Sequence, residues 1–318
     1  MNPFVNQEDG VFTARELGTE AGRILAHGGS AGKIFAFLSG GIYFLTDDQE
    51  FFWVSTDQYP MHRRCVRTTF LPARHRAQPG QRFRTEPPLI LGDSFAVDLR
   101  GAKEWNPSPI VPDPETLLAS IKERCKQLIG FMQSLNSVDG LSQALPSLWA
   151  AEEEEEIAPD QTTYFFSRLL RPVFEIGKAC RRRDPADILE KGKELIGLGP
   201  GLTPSGDDFM GGLLFSAFFL KKSYPEFFFW DQDRVTDFIA GARSRTHPIS
   251  HAFLSDFASG HAPAPLYEVM GYLLQGRDFE RAVSAVVEFL RFGHSSGADM
   301  LAGMMTGMLL VSSEQLLA

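Results

Sequence analysis

The stretch Ile196-Gly197-Leu198-Gly199-Pro200-Gly201-Leu202-Thr203-Pro204-Ser205-Gly206-Asp207-Asp208-Phe209-Met210-Gly211-Gly212 decides how the second half of the chain is read. A helical pattern over Ile188–Ile196 runs into three alternate glycines, and an apolar run, Phe209–Leu220, follows. The segment is therefore helix, loop, helix. Glycine lets a backbone turn with positive φ and approach a ligand closely. The start of the second helix leaves N–H groups unpaired at the positive end of its dipole, which suits a phosphate or a carboxylate. No Gly-Lys-Ser/Thr follows, so this is not a nucleotide P-loop, and no strand leads in, so it is not a dinucleotide fingerprint. Ser205 and Asp208 also have capping-box spacing, under which they would only end the helix.

A second segment, Phe292-Gly293-His294-Ser295-Ser296-Gly297-Ala298-Asp299-Met300-Leu301-Ala302-Gly303, repeats the pattern. Ser205-Gly206-x-Asp208-x-x-x-Gly212 matches Ser296-Gly297-x-Asp299-x-x-x-Gly303. Each places an acid at a helix start and a glycine one turn later on the same face. Two such helices are expected to cross at Gly212 and Gly303, with Asp208 and Asp299 as a carboxylate pair facing one anion-binding pocket. Histidine is the side-chain type suited to proton transfer near neutrality, so His294 is a candidate general acid or base. Between the motifs, Arg243 and Arg245 offer bidentate forks for a carboxylate or phosphate, and Thr246-x-Pro248 marks another helix start. His247 and His251 stand one turn apart, but a proline separates them and no acid adjoins them, so no metal ligands are assigned.

Outward from these motifs the helical pattern holds. Leu117, Leu118, Ile121, Cys125, Leu128 and Met132 keep helical spacing, and Asp184-Pro185 reads as a helix cap and first residue. Val283, Val286, Val287 and Leu290 form an apolar stripe assigned to the core. Glu152–Glu156 reads as a solvated acidic run, and Phe227-Phe228-Phe229-Trp230 as a packing anchor. Before residue 110 the composition changes. Lys33–Leu38, Ile42–Thr46, Phe51–Ser55, Leu89–Leu91 and Ser94–Leu99 are β-type runs separated by turn signals, with one helix expected around Ala14–Ala26. Pro107, Pro109, Pro112 and Pro114 crowd a connector, and Asp113-Pro114-Glu115 opens a helix after it. The expected fold is α+β: a β-rich sandwich or small barrel over residues 1–112, then a mostly helical domain over 113–318 carrying the motifs.

Composition narrows the function. With 318 residues, 43% hydrophobic and 22% charged, the chain is globular rather than disordered or fibrous. Its 40 acidic against 31 basic residues give a net charge of -9, a poor basis for binding nucleic acid. Three scattered cysteines suggest neither a disulfide framework nor a zinc site. The apolar runs Phe209–Leu220 and Met300–Val311 are too short to span a bilayer, and the first residues lack a signal-peptide core, so a cytoplasmic protein without membrane attachment is expected.

Leu198–Asp208, Ser244-x-Thr246-x-x-Ile249-Ser250 and Gly293–Gly303 together resemble a bacterial family whose named member is the AllH subunit of an oxamate carbamoyltransferase. The likeness covers the C-terminal two-thirds; the N-terminal half matches only in its β-type character. It implies a role in allantoin (purine) nitrogen catabolism, where oxamate and carbamoyl phosphate exchange with oxalurate and phosphate, and a chain that works with two companion subunits. Residue chemistry then suggests roles for that reaction. Gly199, Gly201, Thr203, Ser205 and Gly206, with Ser296 and Gly297, would hold phosphate; preorganised donors of this kind contribute about 3 kcal/mol each. Arg243 or Arg245 would hold the oxamate carboxylate. Asp208, Asp299 or His294 would take the proton. No cofactor is called for. The rival expectation is a non-catalytic anion- or nucleotide-binding regulatory or scaffold subunit; a phosphotransferase is disfavoured because no lysine lies in the loops.

Overall fold

A computed structural model describes residues 10–26, 29–38, 40–73, 76–111, 118–135, 139–150, 164–225 and 231–311. The chain divides into two compact units, Met1–Pro107 and Ser108–Ala318. The expected helix start at Asp113, the acidic run Glu152–Glu156, the aromatic cluster Phe227–Trp230 and His27 and His75 lie outside the described residues.

The first unit is an eight-stranded β-barrel, so of the two expected β architectures the barrel is the one found. Its strands are β1 (Val11–Gly18), β2 (Ala31–Leu38), β3 (Gly41–Thr46), β4 (Phe51–Ser55), β5 (Cys65–Thr68), β6 (Arg82–Glu86), β7 (Leu89–Gly92) and β8 (Ala96–Asp98), ordered β5-β4-β3-β2-β6-β7-β8-β1. Antiparallel pairing of β1 with β5 closes the ring and removes the sheet edges. A short β9 (Lys103–Trp105) extends β1 in parallel. Phe44 stacks on Phe52 at 4.9 Å, and Phe83 meets Phe44 edge-on, filling an interior completed by Ile34, Ile42, Val54, Val66, Ile90 and Val97. The helix expected over Ala14–Ala26 begins only at Thr19: α1 spans Thr19–Ala26. Its expected first turn is the end of β1, whose residues alternate exposed and buried as a strand's must.

The second unit is helical. It contains α2 (Leu118–Ser134), a 3₁₀ turn (Gly140–Ala144), α3 (Leu145–Ala150), α4 (Tyr164–Arg182), α5 (Pro185–Leu195), α6 (Ser205–Ser223), α7 (Gln232–Ala242), α8 (Pro248–Ala258), α9 (Ala264–Gln275), α10 (Phe279–Leu290) and α11 (Ser296–Gly307), which runs into a 3₁₀ segment, Met308–Val311. Asp184 caps α5 as its sequence predicts, its carboxylate accepting the Asp187 N–H at 3.0 Å. α6 and α11 are apolar on nearly every side, and almost all their residues are buried. On α10 the buried face is Ala282, Ala285, Val286 and Phe289. Of the expected stripe, only Val286 lies fully in the core; Val283, Val287 and Leu290 sit half-buried at its margin. The small alanines allow close helix packing and so decide which face turns inward.

Among the described residues no helix is long and apolar enough to cross a membrane.

Candidate functional site

The two motifs meet where α6 and α11 cross. A Cβ on Gly212 would stand 1.9 Å from the Met300 carbonyl oxygen, and one on Gly303 would stand 1.7 Å from that of Phe209. Only hydrogen fits at either position, so backbone packs directly on backbone.

Each motif is built the same way. In the first, the Leu198 N–H donates to the Leu195 carbonyl at 2.9 Å, the Gly206 N–H to Leu198 at 2.9 Å, and the Asp208 N–H to Pro204 at 3.0 Å. In the second, the Phe292 N–H donates to Phe289 at 2.9 Å, Gly297 to Phe292 at 3.1 Å, and Asp299 to Ser295 at 2.8 Å. Gly206 and Gly297 also press against the end of the preceding helix: a Cβ would lie 2.1 Å from the Leu195 oxygen or 1.7 Å from that of Phe289. Their amides are thus engaged inside the loops. Gly197, Gly199 and Gly201 take positive φ and route the longer first loop.

Neither motif forms a capping box. Pro204 and Ser295 are the N-caps, and neither helix start has a side-chain cap hydrogen bond. Ser205 and Ser296 instead serve the opposite motif. Ser296 and Thr203 lie beside Asp208, Ser205 and Ser295 lie beside Asp299, and their hydroxyls favour the ionised carboxylates. The Thr203 and Ser296 hydroxyls are 3.0 Å apart.

Asp208 and Asp299 are only 2% and 0% exposed. Burial pushes the Asp208 carboxyl well above the usual range, and the neighbouring Asp299 charge pushes it further. Burial also raises Asp299, to about 6, against the opposing pull of the Leu141 N–H, which donates to Asp299 Oδ1 at 2.6 Å from the 3₁₀ turn. Oδ2 of each aspartate is buried without a hydrogen-bond partner among the described residues. Burial thus favours the protonated form of both carboxyls.

Residues 195–308 match the model of the family described as oxamate carbamoyltransferase subunit AllH. The matched AllH segment starts at the last residue of α5, ends just beyond α11, and so contains both crossing motifs and the arginine segment between them. The barrel lies outside it. No solved structure matches the chain.

Asp207 carries an anchoring role that no sequence pattern flagged. It is 2% exposed and accepts from the Gly197 N–H at 2.7 Å, the Ser250 hydroxyl at 2.6 Å and the Thr246 hydroxyl. Burial raises its pKa, and these bonds with the Arg245 charge oppose that rise. Asp207 thereby ties the glycine loop to the start of α8. The one available signal was a hydroxyl on each side of the α8 start, Thr246 before the His247 cap and Ser250 in the first turn.

The remaining candidates lie around this centre. Arg243 and Arg245 are exposed after α7. Arg245 acts on Asp207, while the strongest charge on Asp208 is Asp299 rather than either arginine. His247 is the N-cap of α8, and His251 lies one turn inside it with Nε2 3.0 Å from the Ile239 carbonyl. Burial lowers the His251 pKa. His294 is exposed in the loop before α11. Among the described residues no three of His, Cys, Asp and Glu are grouped to hold a metal.

Proposed function

We propose that the chain is a subunit of a carbamoyltransferase that exchanges oxamate and carbamoyl phosphate with oxalurate and phosphate, together with companion subunits. The observation that carries this reading is that the AllH match covers the segment in which two Ser-Gly-x-Asp helix starts bring buried Asp208 and Asp299 together.

The forward step forms a bond from the oxamate amide nitrogen to the carbamoyl carbon. It breaks the bond from that carbon to the phosphate oxygen, and phosphate leaves with the electron pair. The amide nitrogen gives up a proton to Asp208, Asp299 or His294. Thr203, Ser205 and Ser296, with Gly199 and Gly201 of the partly exposed loop, hold the departing phosphate. Arg243 or Arg245 binds the oxamate carboxylate. Gly206 and Gly297 shape the pocket through close packing, since their amides already have partners.

The test is phosphorolysis of oxalurate by the purified chain, alone and with its companions. Asp208→Asn and Asp299→Asn are expected to lower turnover of the assembly about 100-fold or more while the fold persists. Full turnover in both variants would return the chain to a non-catalytic, anion-binding role.

A further inference from the structure

Three carboxylates are buried where α6 and α11 start, yet only Asp207 has hydrogen-bond partners on both of its oxygens. Asp207 accepts three hydrogen bonds. Asp208 and Asp299 each bury an Oδ2 that has no partner among the described residues. An unpartnered buried carboxylate oxygen is among the least favourable groups a protein interior can hold. The Leu141 N–H takes Asp299 Oδ1, and the side chains named beside the pair all offer oxygen: the Thr203, Ser205, Ser295 and Ser296 hydroxyls.

We propose that Asp208 and Asp299 bind one hard divalent cation, Mg²⁺, through their Oδ2 atoms, and that this ion receives the phosphate group of the substrate. The first part stands without the carbamoyl-transfer reading; the second rests on it. A set of carboxylate and hydroxyl oxygens, with no sulfur and no imidazole, selects hard cations over zinc or copper. Mg²⁺ is commonly held by only one or two carboxylates and keeps its other positions for water and substrate phosphate. A cage of three acidic or imidazole ligands is therefore not needed. One proton neutralises one member of the pair, whereas a divalent ion neutralises both.

The proposal also resolves a conflict of sign. Two helix N-termini attract an anion, but two carboxylates between them repel it. A divalent ion on the carboxylates turns the same place into a phosphate receptor. The pair is then occupied by metal, and exposed His294 is left to move the proton.

Calorimetric titration of the full chain with MgCl₂, with and without inorganic phosphate, tests this. One site per chain with a Kd of about 1 mM or tighter is expected. Asp208→Asn and Asp299→Asn should each weaken it about tenfold or more. Should either fail to fold, Ser205→Ala and Ser296→Ala keep both charges and should weaken it about threefold. Mn²⁺, followed by electron paramagnetic resonance, should report the same site. No saturable binding of either ion, undiminished binding in the variants, or displacement by an equal concentration of K⁺ would overturn the proposal. Binding of Mg²⁺ without oxalurate turnover in the assembly would sink the reaction and keep the ion. Turnover indifferent to a chelator, with no binding, would do the reverse.

Discussion

The two Ser-Gly-x-Asp arms share a hydrogen-bond pattern and a crossing glycine but differ in what surrounds them. The first has a long loop with three positive-φ glycines and an extra acid, Asp207, which gathers Gly197, Thr246 and Ser250. The second has a shorter loop, with Ala298 at the position of Asp207 and exposed His294 before its serines. What the arms share is architecture, because backbone must meet backbone for the acids to come together. What they do not share is a division of labour. The first arm is braced to the rest of its unit, and the second carries an exposed imidazole, His294. The contacts across the centre are reciprocal: each arm's serine lies beside the other arm's acid.

The largest effect should come from the shared part. Gly303→Ala places a methyl 1.7 Å from the Phe209 oxygen and is expected to cost about 3 kcal/mol or more. Gly241→Ala, on an exposed stretch of α7 with open space around it, should instead stabilise by about 0.5–1 kcal/mol. Thermal melts of the pair measure the difference; equal melting temperatures would show that the crossing can relax.

Breaking the asymmetric part should do less to the fold. Asp207→Ala leaves the buried Ser250 hydroxyl and the Gly197 amide without their acceptor, for about 2–3 kcal/mol. Its melt should also show earlier proteolysis in the 197–204 loop than in the loop before α11. Simultaneous loosening of both arms would mean that Asp207 braces the whole crossing.

A third effect has an unusual sign. Asp299 binds its proton with a pKa raised by burial from 3.8 to about 6. Asp208 is raised in the same direction. Between those values the folded state holds protons that the unfolded chain releases, so stability falls as pH rises. Asp299 alone accounts for about 3 kcal/mol across that window. In buffer with a chelator, Asp299→Asn should therefore match the wild type near pH 4 and exceed it above about pH 6. A variant that is less stable at the higher pH would show that the carboxylate is structural. Groups that work for a ligand commonly cost the fold stability in this manner.

Much of the site was legible because its signals are local. A glycine one turn after an acid, twice, predicts a crossing and a pair, and the backbone approach at Gly212 and Gly303 shows that crossing. The capping-box alternative was equally local and fails, because Pro204 takes the cap position and pushes Ser205 into the helix. In the barrel, aromatic and β-branched runs were readable, while β1, β5, β6 and β9 were not. Arg82–Glu86 alternates charged and uncharged residues over only five positions, too short a pattern to separate from a loop.

Local chemistry alone determined the class of each half, the glycine loops and the identity of the acid pair. These depend on neighbours a few residues apart, where backbone freedom and helix periodicity act directly. Tertiary structure alone decided that β1 would close the barrel, that Asp207 would bind Thr246 and Ser250, and that each serine would face the opposite acid. Those contacts join residues 39 to about 90 positions apart, and burial supplies their energetics: only inside the fold does a carboxylate lose water and come to need a proton, a hydroxyl or a cation.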